Sequence, residues 1–406
     1  MSKKDINKIF DIFEFLKEFK DYLIKKYGIK WDKTYIPYKI LEYFCEYYMM
    51  ISERTDGKTY IIFEMMLYLF LNYDYAGALL RRWDTDIKGE TGRRLIDNLI
   101  GNNEIVEERT KNKYHNAVEE MSQNRYNTII YKNRCYYLAK EYINDKNENV
   151  VECAMKPFCY VFALSQEEHN KGGGLSRVKI VLYDEFIARD TYLQDEFISF
   201  QNTLSTIIRR RTDVAIFMCG NTINRYNPYF EEMGLKHVKN QESGTIDIYE
   251  LGSTNELHIA VEMIDFVNKK HKKSNKYFAF DNPKLKMVTE GKWEISIYPH
   301  LPERYVSKNV LFKYFIIFDG EQFQCDIVQT KTNYFTFIHP FTREIELKDD
   351  TLIFDLNAPI SIHHRRKINK PFDDIGKFIA MFYQRDKVCY SSNMVGETIR
   401  NYLENC

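Results

Sequence analysis

Three short stretches carry side chains suited to phosphate chemistry. In MMISERTDGKTYII (residues 49–62), Gly57, Lys58 and Thr59 stand ahead of an apolar run. A phosphate-binding loop needs inward-facing backbone N–H groups, a lysine reaching the β- and γ-phosphates, and a hydroxyl that holds Mg2+. Lys58 and Thr59 supply the last two. Gly57 lets the chain enter the next helix tightly, and that helix aims its positive end at the anion. Such loops usually open on a glycine; here that place holds Ser52, which costs little if its φ is negative and more if it is positive. In VKIVLYDEF (178–186), an apolar run delivers Asp184 and Glu185 to the carboxyl edge of a buried strand, where open α/β sheets bind ligands. Asp184 would hold the Mg2+ water shell and Glu185 would polarise an attacking water; the plain alternative is a strand ending in exposed acids. In VAIFMCGNT (214–222), Asn221 ends another apolar run and would sense the γ-phosphate or the water. By itself this reads as a strand followed by a turn. A lone GK[ST] tripeptide carries little information, but the three stretches occur in the order of a P-loop NTPase, each at a predicted strand end.

Periodicity predicts the elements that position them. Ile6, Ile9, Phe10, Phe13, Leu16 and Leu23 recur at helical spacing, so residues 6–27 read as an amphipathic packing helix stopped by Gly28. Strands are expected at 47–51, 76–80, 158–164, 178–183 and 214–219, with helical patterns at 57–72 and 195–209 between them. Such alternation implies a mostly parallel sheet with helices on both faces; residues 245–251 would be its last strand. Residues 256–270 read as helix, and 267–276 as a basic linker. From about 286 onward strands dominate, at 294–298, 314–318, 323–328, 334–338, 344–347 and 352–354. Asp319-Gly320 marks a hairpin, and helices follow at 375–383 and 395–403. The organisation expected is a first domain over 1–251, a linker over 252–285 and a smaller α+β domain over 286–406.

Composition bounds the function. A chain of 406 residues suggests two or three domains at roughly 100–200 residues each. With 44% hydrophobic and 15% aromatic residues, wholesale disorder is excluded. Lys plus Arg and Asp plus Glu both number 58, which excludes a protein that coats nucleic acid over its whole surface; contacts would come from local clusters. Zero net charge also favours self-association. The eight cysteines form no CxxC pair and have no histidine at zinc-finger spacing, so they read as reduced intracellular thiols. The N-terminal MSKKDINKIFDIF is not a secretory signal. The longest apolar run, near 61–71, is interrupted by Glu64 and too short for a bilayer. A soluble cytoplasmic protein is the expectation. Two basic clusters are candidate DNA contacts: Lys269, Lys270, Lys272 and Lys273, and the Arg365, Arg366 and Lys367 of HHRRKINK. Phosphate contacts without base readout suit a protein indifferent to sequence. Tyr35 and Tyr38 read as core residues rather than a stacking platform for adenine.

The strings SERTDGKTY, ALLRRW, FALSQEEHNKGGGLSRVKIVLYDEFI and STIIRRRTDVAIFMCGNTINRYNPYF follow the order found in bacteriophage large terminases. Over residues 47–235 the chain most resembles the DNA-packaging ATPases of small short-tailed phages; Ser52 departs from the pattern. The resemblance implies an additional-strand P-loop NTPase followed by an RNase H-like domain, here a vestigial nuclease. It implies ATP and Mg2+ as cofactors and a motor that drives double-stranded DNA into a procapsid. Such motors act as rings, commonly pentamers, at the portal, in the host cytoplasm and transiently at the procapsid vertex, with no membrane. By match, Arg54, Lys58 and Thr59 bind phosphates and metal, Asp184 is the metal site, Glu185 the catalytic base and Asn221 the coupling residue. Arg209, with Arg211 as alternate, would reach into a neighbour's site, and Lys171 would be a second trans-acting cation. Two other readings stay open: a full terminase that also cuts DNA, and a nucleotide-gated scaffold without hydrolysis, motivated by Ser52. Asp319, Asp326, Asp355, Asp373 and Asp374 do not assemble into a convincing two-metal set, so no nuclease activity is expected.

Overall fold

The computed structural model describes residues 10–29, 34–52, 57–101, 116–166, 175–188, 192–222, 226–265 and 296–406. They form two compact units, one within residues 10–265 and the other comprising 296–406 with Tyr226.

The first unit is built on a ten-stranded sheet. Its strands are β1 (Tyr47–Ser52), β2 (Ala76–Arg81), β3 (Thr128–Lys132), β4 (Cys135–Ile143), β5 (Asn149–Cys153), β6 (Cys159–Ala163), β7 (Val178–Asp184), β8 (Ala215–Asn221), β9 (Ile246–Leu251) and β10 (Leu257–Met263). The order is β3-β4-β6-β2-β7-β8-β1-β10-β9, with β5 paired to β4. The block from β6 to β10 is parallel, and β1, β2 and β7 are buried along their whole length. Burial on both faces is why these strands read as continuous apolar runs. The helices described in this unit are α1 (Ile12–Tyr27), α2 (Lys58–Tyr73), α3 (Gly89–Arg94), α4 (Ala117–Ser122), α5 (Glu196–Ile208) and α6 (Pro228–Glu232). Asp11 caps α1, accepting from the amides of Phe13 and Glu14, and Gly28 ends it at φ 78°, a conformation open to glycine. The buried Glu64 of α2 ties the two helices together. It accepts from Lys26 Nζ at 2.8 Å, Tyr22 OH at 3.1 Å and Tyr27 OH at 2.7 Å.

Three expectations for this unit are corrected. Residues 257–263, expected as part of a helix over 256–270, form β10, which lies between β1 and β9. A short apolar run suits a buried strand as well as a helix, and the free edge of β1 decides between them. The strand expected at 245–251 forms as β9 at one edge of the sheet, but β10 follows it in the chain and pairs antiparallel with it, so a boundary at 251 cuts through the sheet. Residues 128–153, to which periodicity assigned no element, form the antiparallel β3-β4-β5 meander. Its first turn uses Asn133 and Arg134 at φ 52° and 55°, a two-residue hairpin geometry whose usual Asn-Gly signal is absent.

The second unit has the strand order β15-β14-β11-β12-β13-β16, from β11 (Val310–Phe318), β12 (Glu321–Gln329), β13 (Tyr334–Pro340), β14 (Ile353–Asp355), β15 (His364–Arg365) and β16 (Val388–Tyr390). Strands β11 to β13 are an antiparallel meander whose first turn is the expected Asp319-Gly320, both at positive φ. Strands β14 and β16 pair in parallel with β11 and β13. Helices α7 (Asp374–Gln384) and α8 (Asn393–Glu404) share a core with Tyr314, Ile316, Cys325 and Ile338 through Ile379, Ile399 and Tyr402. The strands expected at 294–298 and 344–347 do not form over residues 296–298 and 344–347. Among the described residues no helix is long and apolar enough to cross a membrane.

Candidate active site

Strand β1 ends on Ser52, and after residues outside the description the chain re-enters at Gly57, which precedes α2 at φ 87° and ψ 15°. Ser52 belongs to an extended strand paired with β8 and is absent from the positive-φ residues, so a side chain costs the backbone nothing there. Its hydroxyl accepts from Lys58 Nζ at 2.5 Å. Pairing of Ser52 with Asn221 across β1 and β8 brings the Asn221 amide oxygen to 3.3 Å from the same ammonium. Lys58 is only 6% exposed. A buried ammonium demands polar partners, and these two oxygens hold it at the carboxyl edge of the sheet.

One residue further on, Thr59 Oγ1 donates to Asp184 Oδ1 at 2.7 Å. Asp184 ends β7, and its other oxygen accepts from Arg81 Nη1 at 2.7 Å. Arg81 ends the adjacent β2 and reaches Glu185 Oε2 with Nη2 at 2.9 Å. Burial by itself would lower the Arg81 pKa; the carboxylates of Asp184, Glu185 and Asp86 raise it above the ordinary value. Arg81 therefore stays charged and partly neutralises the acidic pair. The Glu185 carboxylate is exposed on its far side, and its backbone sits at φ 57°, a left-handed conformation that a β-carbon disfavours.

A hydroxyl and a carboxylate oxygen in contact suit a hard, oxygen-seeking cation such as Mg2+, which takes one or two protein ligands and completes its shell with water and phosphate. Thr59 and Asp184 fit that donor set. Among the described residues there is no group of three or more His, Cys, Asp or Glu that could hold a metal without such help. In the second unit, Asp326 accepts from Tyr305 and Gln324 and lies 3.8 Å from His339 Nε2. Asp373 caps α7 and pairs with Arg365.

Ser52, Gly57, Lys58, Thr59, Asp184, Glu185 and Asn221 thus come together at one rim. Arg54, Lys171, Lys269, Lys270, Lys272 and Lys273 lie outside the described residues. Arg209 does not join this rim: it ends α5, which returns to the start of β7. There Arg211 donates to the carbonyls of Leu175, Ser176 and Val178. The length of β7, roughly 20 Å at about 3.3 Å per residue, separates them from Asp184. Arg211 is committed to closing backbone carbonyls, while Arg209 and Arg210 are exposed. In the other basic cluster, Arg365 bonds Asp373 and stacks on Phe372. Arg366 is exposed and donates to the Ala358 carbonyl, and Lys367 is half-buried. Tyr35 is a core residue whose hydroxyl donates to Glu262 at 2.5 Å. Sequence reasoning gave Arg81 no role. The available signal was its place, a charged residue ending an apolar strand in the same layer as the strand that carries Asp184.

Fold and site together define a mixed α/β protein whose parallel-rich sheet carries a lysine at a helix start and an acidic strand end at one rim. No family model matches the sequence, and no curated protein matches it. The bacteriophage Phi-29 viral genome packaging motor assembly aligns at 16% identity and TM-score 0.51, covering 91% of this chain and 96% of that one. The Phi-28 gp11 DNA packaging motor aligns at 15% identity and TM-score 0.47, covering 92% and 99%. The N-terminal domain of the DNA packaging ATPase from bacteriophage phi29 aligns at 19% identity and TM-score 0.41, covering 57% and 96%. The fold comparison rests on the first, which extends over nearly the full length of both chains.

Proposed function

We propose that this chain is an ATP-hydrolysing motor that drives double-stranded DNA into a viral procapsid. The observation that carries the reading is the meeting of Lys58 and Thr59 with Asp184 and Glu185 at one rim, Thr59 and Asp184 being 2.7 Å apart. The likeness of fold to a genome packaging motor supports it. In this reading the first unit is an additional-strand P-loop NTPase. Thr59 and Asp184 would hold Mg2+, which supplies charge neutralisation at the β- and γ-phosphates. Lys58 offers its ammonium to the same phosphates, and Asn221, on that ammonium, registers whether the γ-phosphate is present. Glu185 orients and deprotonates the attacking water. Arg81 balances the charge of the acidic pair. Arg54 completes the loop, and Arg209 and Lys171 act in trans. Exposed on the far rim, Arg209 serves a neighbour rather than its own chain, which accords with a ring, taken here as a pentamer at the portal. Work would take place in the host cytoplasm, transiently at the procapsid vertex.

The meander β11–β13, with β14 beside β11 and β15 beyond it, suits an RNase H-like second domain. Asp326 and Asp373 are engaged with Tyr305, Gln324 and Arg365, which favours a vestigial nuclease. Lys269, Lys270, Lys272, Lys273, Arg366 and Lys367 are the proposed DNA contacts. The deciding experiment is ATP turnover by the wild type against Glu185→Ala, with and without DNA. The motor requires turnover in the wild type and its loss in the variant; equal inertness of the two would leave only the scaffold reading.

A further inference from the structure

Glu196 has no part in the roles above, yet it is 3% exposed in the first turn of α5. Its carboxylate accepts from Arg82 Nε at 2.7 Å and Nη2 at 2.9 Å, Tyr183 OH at 2.7 Å, Tyr229 OH at 2.9 Å and the Leu193 amide at 2.8 Å. These donors come from the end of β2, from β7, from the approach to α5 and from α6. A buried carboxylate satisfied in this way is fixed, and it fixes its partners. Arg82 is 6% exposed, stacks on Tyr192, and directs two further hydrogens to two backbone carbonyls. They are Glu185 O at 3.2 Å and Phe186 O at 2.7 Å, the turn in which Glu185 holds its left-handed φ. A disfavoured backbone conformation persists only where its surroundings hold it, and here Arg82 does so. On the other side, Tyr229 lies in the helix that follows β8 and Asn221 in the chain.

We infer that Glu196 is a positioning residue: through Arg82 it holds the turn that presents Glu185, and through Tyr229 it joins that turn to α6. The inference rests on the hydrolase reading above and adds a route by which a shift of α6 displaces the Glu185 carboxylate. Glu196 itself touches neither substrate nor reacting atoms.

The test uses the full chain with Glu196→Gln and Tyr229→Phe. The second variant removes one donor and keeps the ring among Tyr183, Phe186, Phe197 and Phe200. A misplacement of about 1 Å costs on the order of 10²-fold in rate. The expected result is a kcat for ATP lowered by up to about that factor in Glu196→Gln and by less in Tyr229→Phe. Affinity for a non-hydrolysable ATP analogue should stay at its wild-type value. Wild-type kcat in both variants, or kcat and affinity falling in parallel, overturns the proposal. If Glu196→Gln does not fold, the nearly isosteric Tyr229→Phe carries the same comparison. A second readout needs no turnover: the Phe186 amide, bonded to Cys219 O at 3.2 Å, should lose hydrogen-exchange protection in the variants while the β11–β13 amides keep theirs. Equal protection at Phe186 overturns the positioning role. A wild type that hydrolyses nothing overturns the hydrolase reading instead, and the exchange measurement then decides this one.

Discussion

Thr59 and Asp184 are 125 positions apart in the chain and 2.7 Å apart in space, so the chemistry of the site depends on side chains rather than on any local segment. Glu185→Gln keeps the volume and removes the proposed base. It should lower kcat by about 10²–10⁴ with ATP affinity little changed, measured by steady-state hydrolysis beside analogue binding. Glu262 gives a pH prediction. Burial pushes it up to about 7, against the opposing pull of the Tyr35 hydroxyl and Lys39. The folded chain therefore holds a proton that an unfolded glutamate releases near 4.5. Between those values the native state binds more protons, so stability falls as pH rises from about 4.5 to about 7 and levels off above. Glu262→Gln should flatten that slope, which urea unfolding at a series of pH values would show.

At the scale of elements, α1 and α2 are joined by a charge inside the protein. Glu64 is fully buried, and Lys26, 13% exposed at its side chain, lies 2.8 Å from it. Removing Glu64 leaves Lys26 to its longer ion pair with Glu120 at 3.5 Å. Glu64→Ala should therefore cost about 1–3 kcal/mol of unfolding free energy, the range for part-buried polar groups that lose their acceptor, read by denaturant titration. The replacement also leaves the Tyr22 and Tyr27 hydroxyls without their acceptor. The helices α1 and α5 were legible from their helical period, and α2 and the buried parallel strands from continuous apolar runs bounded by turn residues. Residues 257–263 were not, because so short a mostly apolar run fits a strand and a helix alike, and the sheet order makes it a strand. The β3-β4-β5 meander escaped because its turn uses Asn133-Arg134 in place of glycine.

For the whole molecule, the placement of Arg209 has a consequence. An exposed arginine at the amino edge of β7 cannot serve a site at its carboxyl edge. If it acts at all, it acts on a neighbouring chain, where a cation supplied in trans is worth roughly 10³–10⁵ in rate. Mixing Arg209→Ala with Lys58→Ala subunits should restore part of the ATP turnover that each lacks, since some interfaces pair an intact loop with an intact arginine. Titrating the ratio of the two proteins in a hydrolysis assay checks this, and no rescue at any ratio would remove Arg209 from the mechanism.

The sequence by itself determined which residue types stand at the ends of apolar strands: Ser52, Asp184 with Glu185, and Asn221. It also set Gly57, Lys58 and Thr59 at the start of a helix, because apolar periodicity and local backbone preference are written in consecutive residues. Only the tertiary structure decided that these ends share one rim. Strand order is set by long-range pairing, which places β8 beside β1 and β7 beyond it and thereby puts Lys58 on Asn221 and Thr59 on Asp184. The same pairing placed Arg81 on the acidic pair, Arg82 on the Glu185 carbonyl and Arg209 at the far edge. Those three are arginines at element ends, alike in the sequence: Arg81 and Arg82 leave the end of β2 toward different partners, and Arg209 is set apart by the direction in which α5 runs.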